Sequence, residues 1–165
     1  MVFETFSEEY SRIDLTCIPD DLIICDGSCL RNPGPGGWAL IHVKDGRTSV
    51  RSGSSPHTTN NIMELTAAIE SLILKPCFIY TDSSYVVNGI NSWIHTWKRN
   101  GWKNSQREVV KNLELWQKIT SLHTPNTQVK WIKGHASLDV EDPAQKAMIQ
   151  LQHAVDLLAR QKAHG

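Results

Sequence analysis

Leu22-Ile23-Ile24-Cys25-Asp26-Gly27, together with its later counterpart Cys77-Phe78-Ile79-Tyr80-Thr81-Asp82, decides the fold of this chain. Both are apolar runs too short for a helix and apolar at successive positions, the pattern of a strand buried on both faces. Each ends on an aspartate. Between them, Trp38 to Val43 and Thr48 to Gly53, joined at Asp45-Gly46, predict a hairpin, because Asp-Gly supports the positive φ angles such turns need. Thr58-Thr59-Asn60-Asn61 then offers helix caps ahead of Ile62, Leu65, Ile69, Leu72 and Ile73, which recur at helical spacing until Pro76. A strand, helix, strand crossover of this length favours parallel pairing, so the first and fourth strands are expected side by side in a mixed α/β sheet.

Beyond Asp82, three helical segments are expected up to Leu122, the last opening with the capping box Ser105-Gln106-Arg107-Glu108. Val129 to Ile132 reads as a final strand, ended by Lys133-Gly134-His135. From Pro143, the residues Ala144, Ala147, Met148, Leu151, Val155 and Leu158 keep helical spacing, as one long C-terminal helix or two in series.

A chain of 165 residues with 40% hydrophobic content closes one ordinary core, and two domains would leave both undersized. Residues 1–20 carry no clear period and are expected to be an N-terminal extension, ordered only where something docks it. No stretch reaches the roughly 20 apolar residues of a membrane span, and the acidic, broken N-terminus is unlike a signal peptide. A cytoplasmic protein without a membrane partner is therefore expected, and nothing in the sequence demands more than a monomer. Cys17, Cys25, Cys29 and Cys77 show neither a CxxC pair nor zinc spacing, so they are expected to be reduced and mostly buried. Formal net charge is zero, so any nucleic-acid binding must rest on a local patch and not on overall basicity.

If the two strands are adjacent and parallel, Asp26 and Asp82 emerge at the same carboxyl edge, where open α/β sheets place ligands. Glu64 lies one turn into the intervening helix, which packs back on that sheet. Three converging carboxylates with no Lys or Arg near them in sequence repel one another unless a cation is present, and such oxygen donors suit Mg²⁺ or Mn²⁺. The alternative is that Asp26 and Asp82 are ordinary turn formers at strand ends.

The segments Asp26-Gly-Ser-Cys-Leu-Arg-Asn-Pro-Gly-Pro-Gly-Gly-Trp38, Thr59-Asn-Asn-Ile-Met-Glu64-Leu65, Thr81-Asp82-Ser-Ser-Tyr-Val86, Trp93-Ile-His-Thr-Trp-Lys-Arg-Asn-Gly-Trp102 and Val129-Lys-Trp-Ile-Lys-Gly-His135-Ala136 follow one another in order. Together they resemble ribonuclease H type 1, over residues 22 to about 137 and again near 155 to 160. The resemblance implies an α/β fold with a mixed five-stranded sheet, strands 1–3 antiparallel and helices on both faces. It also implies a ribonuclease H domain over residues 21–165. Its activity would be endonucleolytic cleavage of the RNA strand of an RNA/DNA hybrid, leaving 5′-phosphate and 3′-hydroxyl ends.

In that family four carboxylates hold two Mg²⁺ ions, with Mn²⁺ a possible substitute. Carried across, the pattern implies Asp26, Glu64 and Asp82 as ligands, with Asp26 shared. His135 matches a histidine that assists proton movement, a task suited to a group titrating near pH 6.5. The fourth carboxylate departs from the pattern, since Asp156-Leu-Leu-Ala-Arg160 stands 21 residues beyond His135, about twice the usual separation. An insertion at about 138–151 accounts for this, with Asp156 the expected ligand and Asp139, Glu141 and Asp142 its rivals. If Pro143 to Gln161 were one straight helix, Asp156 would lie about 20 Å along it at 1.5 Å per residue. The added residues must then extend beyond the site, or the helix must bend.

The resemblance further implies hybrid contacts from Cys29, Asn32, Asn60, Asn61, Ser84 and Asn88, although the family more often carries longer amides in place of Ser84 and Asn88. Lys98, Arg99 and Lys103, with Trp97 and Trp102, resemble a basic protrusion that grips the DNA strand. A solvated helix face anchored by structural tryptophans is the competing account of that segment. A domain associated with a reverse transcriptase would keep the fold and change the setting. From another class, a hybrid-binding module with lost or weak catalysis would follow if the insertion displaced the fourth carboxylate.

Overall fold

The computed structural model describes residues 12–165. Residues 1–11, more than half of the expected N-terminal extension, lie outside the described residues.

Five strands form a single sheet: β1 (Leu22–Cys29), β2 (Gly34–Lys44), β3 (Arg47–Thr58), β4 (Phe78–Thr81) and β5 (Gln128–Trp131). Their order is β3-β2-β1-β4-β5, with β1, β2 and β3 antiparallel in succession and β4 and β5 parallel to β1. Helices α1 (Asn60–Ile73), α2 (Ser84–Asn88), α3 (Ile94–Arg99), α4 (Leu113–Leu122) and α5 (Pro143–Ala163) complete the fold, with a π-helical turn at Gly89–Trp93 linking α2 to α3.

Alternation along β1 splits the core in two. Ile23 and Cys25 join Leu65, Ala68, Leu72 and Trp116 on the face of α1 and α4, whereas Leu22 and Ile24 join Leu151, Val155 and Leu158 on the face of α5. This is why Leu22-Ile23-Ile24-Cys25 is continuously apolar. Each fully buried Ile or Leu here contributes about 1.5–3 kcal/mol. The mixed sheet with helices on both faces is therefore as expected. None of the described helices is long and apolar enough to cross a membrane.

Several boundaries differ from the sequence reading. β1 runs on past Asp26 to Cys29, because β2 continues to pair with it after the parallel ladder to β4 stops at Cys25 and Thr81. The glycine and proline run at 34–37 is the start of β2, four residues ahead of the strand expected from Trp38. No helix opens at Ser105: Asn104 Oδ1 instead accepts the N–H groups of Gln106 and Glu108 at 2.9 and 3.0 Å, and Arg107 has φ +63°. This local side-chain turn captures the donors a capping box would have used. Helix α4 starts eight residues later, after Asn112 in a left-handed conformation.

The cysteines are free as expected but not mostly buried, since only Cys25 is interior and Cys77 is exposed. Part of the expected extension is docked: a 3₁₀ turn at Leu15–Cys17 follows the Asp14 cap, and Ile13 and Ile18 are buried against the α5 face. The C-terminal segment is one uninterrupted helix, and its N-cap is Asp142, whose carboxylate accepts the Gln145 N–H at 2.9 Å.

Candidate active site

Three elements bring the first three carboxylates to one point. Asp26 continues β1 beyond its last residue paired to β4, Asp82 follows β4 directly, and Glu64 stands in the second turn of α1. One oxygen from each lies within 4.8 Å of the others. Two glycines permit this approach. A Cβ on Gly27 would come within 2.4 Å of the backbone at Met63 and Glu64, and one on Gly134 within 2.6 Å of Asp82 Oδ2. The freed Gly27 N–H donates both to Asp26 Oδ1 at 2.9 Å and to Glu64 Oε1.

No Lys or Arg among the described residues is ion-paired with Asp26, Glu64 or Asp82. Burial, then the charge of Glu64, pushes the Asp26 carboxyl up to about 11, and burial lifts Glu64 to about 7. Burial also raises Asp82. Acids held in this way keep protons that a divalent cation would displace. The chemistry of the donor set therefore fits such a cation: oxygen ligands only, close together and otherwise uncompensated.

Asp156, on α5, stands near that cluster without joining its closest group of three: its charge adds to that felt by both Asp26 and Asp82. It is buried, pairs with Arg160 one turn on at 2.5 Å, and has the His135 ring 3.9 Å away. The stretch at 138–151 forms a mostly exposed loop and the first turns of α5, so the helix begins about 20 Å along its axis before Asp156. Of the rivals, Asp142 is occupied as the cap, and Asp139 and Glu141 are exposed in the preceding loop. His135 follows β5 on that loop with its side chain 70% exposed.

The expected substrate residues fall into two groups. Cys29 has its thiol 3.5 Å from the Gly34 carbonyl and 3.4 Å from that of Thr58, while Asn32 Oδ1 accepts the Asn60 N–H at 3.0 Å. Asn60 and Asn61 are exposed at the start of α1, and Ser84 and Asn88 are exposed on α2, two to six residues beyond Asp82. In the second group Lys98, Arg99 and Lys103 are exposed, whereas Trp97 and Trp102 are half-buried against the α1 and α4 core. Trp97 packs edge-on to Trp116 at 5.4 Å, and the Trp116 indole donates to Tyr85 Oη at 3.1 Å. The tryptophans thus anchor the segment that displays the cations.

Sequence reasoning missed four participants. Trp131 donates its indole N–H to the Asp82 carbonyl at 3.1 Å, and Arg160 pairs with Asp156. Gln152 reaches Asp82 Oδ2 at 3.4 Å, and His153 meets the Ala136 carbonyl at 2.8 Å. Gln152 and Arg160 each stand four residues from Asp156, a helical spacing that could have flagged them.

The sequence model of the RNase H family matches residues 20–164. A "Ribonuclease H" of Rhodopseudomonas palustris (strain TIE-1) is 51% identical over 121 residues, covering 70% of this chain and 77% of that one. Among solved structures, LC9-RNase H1, described as a type 1 RNase H with the type 2 active-site motif, is similar with a TM-score of 0.66 and 30% identity, over 90% of this chain and 74% of that one. LC11-RNase H1, solved in complex with an RNA/DNA hybrid, shares the fold at a TM-score of 0.58 and 19% identity, over 87% of this chain and 96% of that one. With the family's sequence pattern spanning residues 20–164, and about half the positions identical over a 121-residue alignment to a relative, the chain belongs to the type 1 ribonuclease H family of enzymes.

Proposed function

We propose that this protein is an endonuclease that hydrolyses the RNA strand of RNA/DNA hybrids with two divalent cations, leaving 5′-phosphate and 3′-hydroxyl ends. The observation that carries the reading is the convergence of Asp26, Glu64 and Asp82 from three separate elements without a Lys or Arg ion-paired to them among the described residues. Asp26, Glu64, Asp82 and Asp156 would hold the cations, Mg²⁺ with Mn²⁺ as substitute. Bound cations in such a site supply a lowered pKa for water and charge stabilisation at the attacked phosphate.

The protein's own residues do the rest. Asp26 feels the charges of Glu64, Asp82 and Asp156 alike and would serve both cations. His135, exposed on its loop beside Asp156, carries protons to and from the reacting phosphate. Water is the nucleophile, so the ribose 2′-hydroxyl is left for recognition and not consumed. Asn60 and Asn61 at the start of α1, with Cys29 and Asn32 beside them, offer amides and backbone donors to the RNA sugars. Ser84 and Asn88 on α2 extend that contact. Lys98, Arg99 and Lys103, mounted on Trp97 and Trp102, bind phosphates of the DNA strand without reading sequence. The solved complex of LC11-RNase H1 with a hybrid supports this choice of substrate. We further propose that the chain acts in the cytoplasm as a monomer.

The approach of Asp156 to the other acids favours the enzyme over a hybrid-binding module with lost catalysis. A hybrid with end-labelled RNA tests both. Cleavage with Mg²⁺, abolished by chelator and by Asp26→Asn, with products that a ligase joins without prior repair of either end, is expected. Binding without cleavage by the wild-type chain would leave only the module.

A further inference from the structure

Gln152 is 2% exposed and points one polar group at each of two site elements. Its Oε1 accepts the backbone N–H of His135 at 3.2 Å, and its Nε2 reaches Asp82 Oδ2 at 3.4 Å. One residue on, the His153 ring holds the Ala136 carbonyl at 2.8 Å. Helix α5 thus grips the loop after β5 at two consecutive residues while also reaching the end of β4.

A primary amide suits both contacts. It presents an acceptor and a donor at the tip of one side chain, whereas a carboxylate would meet Asp82 with like charge and an apolar group would leave both partners unsatisfied. The grip falls where the loop needs it. His135 has φ +52°, a left-handed conformation that side chains disfavour, and the residues that follow it up to Asp142 are mostly exposed. Nothing covalent fixes the distance between Asp82 and His135, which lie on different segments. The Gln152 amide spans the gap.

We propose that Gln152 is a positioning residue that sets the His135 loop against Asp82, acting through those two groups and touching neither phosphate nor sugar. Its effect on turnover rests on the nuclease reading above, but its effect on the loop does not.

The test compares the full chain with Gln152→Met, which keeps length and loses both contacts, and Gln152→Glu, which keeps only the acceptor. Amide hydrogen exchange is followed residue by residue without metal, and kcat and KM for hybrid cleavage are measured separately with Mg²⁺. Expected for Gln152→Met is faster exchange at His135 with unchanged exchange in β1 and β4. Its kcat should fall about 10- to 100-fold, the usual loss when a supporting contact to a metal-site residue is removed, while KM stays within about twofold. Gln152→Glu should retain His135 protection and still lose kcat. Wild-type exchange at His135 in Gln152→Met would overturn the proposal, as would equal acceleration throughout β1 and β4, which marks a general packing role. Unchanged kcat in both variants would overturn it too. If the wild-type chain cut no hybrid, the nuclease reading would fall and the exchange comparison would alone decide the role of Gln152.

Discussion

Asp26 is only 5% exposed, and its ordinary acidity is suppressed first by burial and then by Glu64. On the proposed reading such a residue serves catalysis at the expense of the cation-free fold, which leads to opposite effects from one substitution. Asp26→Asn should lower hybrid cleavage by on the order of 10³-fold or more, as when one member of a catalytic unit is removed. In chelator at pH 8 the same variant should be more stable, by on the order of 2 kcal/mol or roughly 4–8 °C in a domain this size. Thermal unfolding followed by circular dichroism checks it, and a variant less stable than wild type would remove the electrostatic argument. His135→Ala should behave differently. In the proton-transfer role proposed for it, this exposed side chain contributes roughly 10²-fold to kcat, so measurable activity should remain, and the unfolding midpoint should not move. Both residues could be picked out from the sequence because their motifs are local. Gln152 could not, since its role depends on Asp82 and on a loop that reaches it only in the folded chain.

The elements meet at points where a side chain has been removed. Gly134 passes Asp82 with no room for a methyl group, and Gly27 does the same against the backbone of α1. Gly134→Ala should push the loop after β5 away from Asp82, lowering kcat by about 10- to 100-fold while the protein stays folded. Gly27→Ala meets backbone and not a side-chain tip, so it should destabilise by about 1–3 kcal/mol or more, read as a lower urea midpoint at constant slope. Strand and helix types were legible wherever a period ran for a full element, as in β1, α1 and α5. They failed at 100–112, where Asn104 and the left-handed residues Trp102, Arg107 and Asn112 build a turn by side-chain hydrogen bonds that no periodicity reports.

At the scale of the molecule, pH and cations act on the same carboxylates. Asp26, Glu64 and Asp82 all have folded-state affinities for protons above their unfolded ones. The folded state therefore binds more protons above pH 4, and the stability of the cation-free protein should fall as pH rises from about 4.5 through 7, the value to which Glu64 is lifted. Millimolar Mg²⁺ should flatten that fall by binding only the folded state, increasingly so at higher pH because binding expels protons. Urea unfolding at pH 5.5 and 8, with chelator and with Mg²⁺, measures it, and a cation-free protein more stable at pH 8 would contradict the assignment of the cluster. The sequence by itself determined the order of elements and the central parallel pair, and it pointed to Asp26, Glu64 and Asp82, which the fold brings together, and to His135 as a candidate, because apolar period and short motifs are properties of neighbouring residues. Only the tertiary structure decided that α5 begins about 20 Å along its axis before Asp156 and carries that residue within range of the charges of Asp26 and Asp82, that Asp142 is a cap, and that Ile13 and Ile18 are core. Those outcomes depend on which surfaces distant segments bury against one another, and that is settled by packing across the whole fold.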